Sequence, residues 1–161
     1  MTTRTNTPTL LDPSPISVRT KLAAAWTSFM FLYVYVDILN FYKPGVVDSI
    51  LNGLVWRFEV SPVLLTVMLA SVAVPGLMVL LSITLPARAN RMTNLVVASL
   101  YIPYSLFNAA GTTWEWVFFY VLSIGAELVL LALILRSAWT WPRASVGHAA
   151  LAKVDLRPAS A

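Results

Sequence analysis

The sequence predicts an all-α polytopic membrane protein, a bundle of four transmembrane helices with a short interfacial amphipathic helix. Three observations predict it. Of the 161 residues, 58% are hydrophobic and only 11% are charged, whereas a soluble domain carries about 25% charge to keep its surface wet. Four apolar runs recur along the chain, each close to the roughly 20 residues that cross a hydrocarbon core. The basic residues stand at the ends of those runs. Despite a net charge of +4, that placement reads as membrane topology and argues against a nucleic-acid partner.

Residues 1–20 are rich in Thr, Ser and Pro and bury too little apolar surface to offset their ordering entropy, so they are expected to form a disordered cytoplasmic arm. The membrane domain is expected over residues 21–138. Its first span, about 22–42, is too long for a signal-peptide core and ends in Lys43-Pro44-Gly45, residues that stop a helix. Over about 46–59, Val46, Val47, Ile50, Leu51, Leu54, Val55 and Phe58 recur at helical spacing. This predicts an amphipathic helix on the membrane surface, anchored by Trp56. Ser61-Pro62 opens the second span, about 62–85, as cap and first turn.

Pro86 to Arg91 reads as a tight basic turn before a third span over about 92–110. A short turn at Gly111 leads to the fourth span, about 114–135. Residues 139–161, with further Arg, Ser and Pro, are expected to be a disordered cytoplasmic tail. Nine of the eleven Lys and Arg residues fall on the side of the two termini and the middle turn, against Lys43 and Arg57 on the other. The bias predicts a multi-pass protein of the plasma (inner) membrane with both termini cytoplasmic.

Polar side chains within the spans mark faces turned away from lipid. Tyr33, Asp37 and Asn40 form a stripe on the first span, with Trp26 and Met30 continuing it. Tyr101, Tyr104, Ser105 and Asn108 form another on the third. Tyr120, Ser123 and Glu127 form one on the fourth, with Trp116 above them. These spacings of three and four put each set on one helical face. Counting from the cytoplasmic ends, Asp37 lies about 22 Å up and Glu127 about 12 Å up, with Tyr33, Tyr104 and Ser123 at roughly 16 to 18 Å. The candidate site is thus a polar seam of Tyr33, Asp37, Asn40, Tyr101, Tyr104, Asn108, Tyr120, Ser123 and Glu127.

Pro75 and Pro103 lie inside the second and third spans. Each leaves the carbonyl four residues earlier, Ser71 or Ser99, without its helical partner. Such freed carbonyls bind ions in some transporters and more often serve packing.

Cysteine is absent, and the one histidine, His148, lies in the tail. No thiolate nucleophile and no His- or Cys-based metal or haem site is therefore expected within the membrane, and neither is a catalytic function or a cofactor. The aromatic first span, Phe31-Leu32-Tyr33-Val34-Tyr35-Val36-Asp37 before Lys43-Pro44-Gly45, resembles a bacterial family of small four-span membrane proteins classed as a domain of unknown function. The resemblance implies a four-helix membrane fold over about 21–135 and attaches weight to Asp37. From the residues themselves two roles follow. One is a small membrane protein that packs with itself or a membrane partner through its polar seam. The other is a proton-coupled small-molecule transporter or channel subunit using the intramembrane carboxyls. The lipid bilayer is the partner common to both.

Overall fold

Helix starts and stops in this chain are set by a few capping residues, and these move the sequence-based boundaries by several positions. A computed structural model describes residues 16–142. The expectations for residues 1–15 and 143–161, most of both disordered ends, lie outside the described residues. Helix α1 (Val18–Asn40) begins inside the expected arm, because Ser17 is extended and its Oγ accepts the Thr20 amide at 3.2 Å. Four further residues of helix therefore precede the expected start at 22. At the other end, turns through Phe41, Tyr42 and Lys43 bond back to Ile38, Leu39 and Asn40.

The amphipathic helix expected over 46–59 is found only as α2 (Val46–Leu51). Asn52 bonds back to the Asp48 carbonyl, and Gly53 takes a φ of 78° that ends the helix. The following residues form a two-strand antiparallel hairpin, β1 (Leu54–Val55) and β2 (Phe58–Glu59), with Leu54 opposite Glu59 and Val55 opposite Phe58. Apolar spacing alone did not separate these forms, since positions 54, 55 and 58 fit a helix face as well as a turn. Trp56 at the hairpin tip has a φ of 55°, a conformation that bulky residues avoid. Its ring packs against Phe107 and over Gly111.

Helix α3 (Pro62–Thr84) opens on the expected cap, with the Ser61 hydroxyl accepting the Leu64 amide. Helix α4 (Ala87–Phe107) starts five residues before the expected 92 and stops short of 110. The connection is only Leu85-Pro86, both extended, so Arg88, Asn90 and Arg91 belong to the helix and not to a turn. A 3-10 turn (Trp114–Trp116) precedes α5 (Val117–Trp139), which runs past the expected end at 135. Trp139, expected in the tail, is helical, and Thr140 closes the helix by bonding the Arg136 carbonyl at 2.7 Å.

The chain is therefore mostly helical, and among the described residues three helices are long and apolar enough to cross a membrane: α1, α3 and the run Trp114–Trp139. Helix α4 matches them in length but carries Arg88, Asn90, Arg91 and Asn94 in its first two turns. Helix α1 packs on α3 and α5, and α5 packs on α4, whereas α3 and α4 touch little.

The core follows from these contacts. Leu22, Trp26, Phe29 and Tyr33 of α1 meet Met78, Ala98, Tyr101, Leu131, Ile134 and Ala138. Trp26, Phe29 and Tyr101 form a mutual edge-to-face cluster with centroids 5.6–6.1 Å apart, a geometry favoured by the ring quadrupoles. Beside it, Asn94 accepts from Trp26 Nε1 at 2.7 Å and donates to Asn90, which donates to the Ser82 carbonyl at 2.6 Å. All four of these residues are fully buried. The outward faces are apolar, as at Val63 and Leu69 of α3 and Phe118 and Leu122 of α5.

Candidate functional site

Asp37 and Asn40 lie three residues apart on the last turns of α1, and Tyr120, Ser123 and Glu127 follow one face of α5. Because α1 and α5 pack together, those two stripes meet. Asn108, which caps the C-terminus of α4, joins them at one end. The result is a cavity of about 100 Å³ lined by these six side chains with Val36 and Ile124.

Glu127 is only 2% exposed, and among the described residues its Oε2 has no hydrogen-bond partner. Ser105 of α4 lies beside the carboxyl, yet its buried hydroxyl is also unpartnered. Leaving a buried carboxylate uncompensated costs several kcal/mol, so its charge must be met by a proton, a cation or water. Asp37 differs: it is exposed on the cavity lining. The two acids thus occupy the floor and the mouth of one space.

Tyr120 organises the mouth. Its hydroxyl accepts from Lys43 Nζ at 2.8 Å and donates to Asn40 Oδ1 at 3.3 Å. The Lys43 ammonium also sits 4.1 Å from the centroid of the Tyr120 ring, 4.7 Å from that of Phe119 and 5.0 Å from that of Trp116. Such ring faces attract a cation. Lys43 is consequently held on the rim by aromatic groups and a phenol.

The remaining seam residues do not enter the cavity. Tyr33 and Tyr104 share a hydrogen bond of 2.9 Å between α1 and α4. Tyr101 turns the other way and donates to the Ser71 carbonyl at 2.7 Å. That carbonyl is the one expected to be freed by Pro75, so its partner is a phenol and not an ion. Of the nine seam residues, six line the cavity and three form the aromatic layer beside it.

Sequence reasoning missed four participants. Lys43 was read only as the end of a span. Ser105 belongs to the stripe of the third span but not to the expected seam. Asn90 was read as part of a turn, and Asn94 was not singled out. Their spacing of four on one helix was the available signal. Among the described residues no group of three or more His, Cys, Asp or Glu side chains gathers to hold a metal.

Fold and site together define a helical protein with apolar outer faces and an internal carboxyl-bearing cavity. The model of a family of unknown function, DUF6326, matches residues 17–147, and the chain belongs to that family. No curated protein and no solved structure matches it.

Proposed function

We propose that the protein is a bacterial four-span integral membrane protein that exchanges an ion at Glu127, as a proton-coupled transporter or channel subunit. The single observation carrying this reading is the unpartnered Glu127 oxygen at the floor of a polar cavity. Intramembrane acids without a fixed counter-charge are rare unless they bind or release something. A seam acting only as glue to a partner would present its polar atoms outward. Here Ser123 and Glu127 face inward within one chain.

Helix α4 serves as the fourth span. Its 21 residues extend about 31 Å, and its polar side chains Asn90, Asn94, Tyr101 and Ser105 are buried, leaving an apolar face for lipid. Arg19 bonds the Ile83 carbonyl and Arg91 the Ala138 carbonyl. These bonds gather the basic residues at one end, which by the positive-inside bias is cytoplasmic in the plasma (inner) membrane. Lys43 and Arg57 then lie outside, with the cavity toward that face.

The test is proton flux into proteoliposomes carrying a trapped pH-sensitive dye. Wild-type protein is expected to acidify the lumen under an imposed gradient, and Glu127→Gln to lose this while remaining folded and inserted. Equal flux in both proteins would refute the reading.

A further inference from the structure

We infer that the cavity is a binding site for a small monovalent metal cation. The inference deepens the ion-exchange reading above and rests on it. A proton needs one carboxylate, but this cavity assembles six oxygen-bearing side chains: Asp37, Asn40, Asn108, Tyr120, Ser123 and Glu127. Hard cations take such all-oxygen shells. Among the described residues no Lys or Arg lines the space, and the Lys43 ammonium is held on the rim by the Tyr120 hydroxyl and three rings.

The volume agrees. A cavity of about 100 Å³ holds several waters, room for one small cation with part of its hydration shell. The charge agrees as well. Divalent sites gather several carboxylates, and no cluster of three acidic or imidazole groups forms among the described residues. With one of the two carboxyls protonated, a single negative charge remains, which one monovalent ion neutralises.

The acids alone would not carry this assignment. The second observation is the geometry of Glu127: its side chain lines the cavity and is 2% exposed, and among the described residues its Oε2 is bonded to nothing. Asn108 and Asp37 at the mouth are exposed, so their amide and carboxylate are free to turn toward an entering ion. Asn40 Oδ1 already points toward the site as the acceptor of the Tyr120 hydroxyl.

The experiment is thermal unfolding of the purified full chain in detergent at one pH. Sodium, lithium and potassium chlorides are compared with N-methyl-D-glucamine chloride at equal ionic strength. The expected result is a saturable rise in Tm of about 5 °C or more with at least one metal ion and none with the organic cation. Glu127→Gln should abolish the rise. Asp37→Asn, an exposed rim change that spares the buried floor, should weaken it at least tenfold in half-saturating concentration. No difference between metal and organic cation in the wild type overturns the inference, as does an unchanged rise in both variants. If the metal effect is absent while Glu127-dependent proton flux persists in the dye assay, the cation site fails and the proton reading stands. If both are absent, both fail.

Discussion

The Tyr101 hydroxyl donates a 2.7 Å hydrogen bond to the carbonyl of Ser71, which the ring of Pro75 has deprived of its usual helical donor. One phenol on α4 thereby completes the backbone of α3, adding to the Asn90–Ser82 bond between the same two helices. Tyr101→Phe keeps the edge-to-face packing and removes only this bond. It should cost about 1 kcal/mol, the penalty of leaving a half-buried carbonyl unsatisfied. In a Pro75→Ala background the helix supplies its own donor, so the same change should cost about 0.5 kcal/mol or less. Equal losses in both backgrounds, measured by denaturant unfolding, would show that the bond does not repair the proline gap.

Asn94 is a more demanding position. It accepts from Trp26 Nε1 and donates to both the carbonyl and the side chain of Asn90. Asn94→Leu strands the indole donor in a site with no water access, at a cost of about 2 kcal/mol or more. Trp26→Phe in the same protein should recover part of that loss. A stability equal to wild type in the single variant would contradict the buried network.

This pattern shows what was legible in the sequence. The stripes Asp37–Asn40 and Tyr120–Ser123–Glu127 were readable because a helix repeats every 3.6 residues whatever its surroundings. The packing of α1 on α5 then brought them together. Tyr101 was harder, since its stripe sits at the edge of two faces and only the position of α3 decides which partner it finds. The network of Asn90 and Asn94 was hidden by reading Arg88 to Arg91 as a turn. The early start of α4 at Ala87 puts both amides on one buried face. The cage around Lys43 joins residues more than 70 positions apart, and no local pattern announces it. The hairpin over 54–59 was masked by apolar spacing shared with a helix.

Gly111 and Gly53 both have a φ of 78°, yet their surroundings differ. A Cβ at Gly53 meets open space, whereas one at Gly111 would lie 3.1 Å from Cζ2 of Trp56. Gly53→Ala should therefore cost about 1 kcal/mol, from the left-handed conformation alone. Gly111→Ala should cost about 1 kcal/mol more and displace the Trp56 indole, seen as a change in tryptophan emission. Equal costs would mean that the hairpin tip does not rest on the turn between α4 and α5.

Lys43→Met removes the ammonium but keeps a long apolar stem over the rings. The lost cation–π contacts and the bond to Tyr120 should lower stability by about 1 kcal/mol. Lys43→Arg, which keeps the charge, should recover most of this. If Met is as stable as Lys, the three rings hold the side chain by contact area alone.

The fastenings between helices are unevenly placed. Arg19 to Ile83, Asn90 to Ser82, Trp26 to Asn94 and Arg91 to Ala138 all lie near the Leu85-Pro86 connection. At the opposite end the ties are the bonds around Tyr120 and the resting of Trp56 on Gly111. The molecule is built like tongs, riveted at the grip and loose at the tips. Amide exchange should accordingly be slowest around Ser82 to Asn94 and faster near Asn40 and Asn108. Breathing of the helices is therefore expected at the tips, while the rivets stay closed.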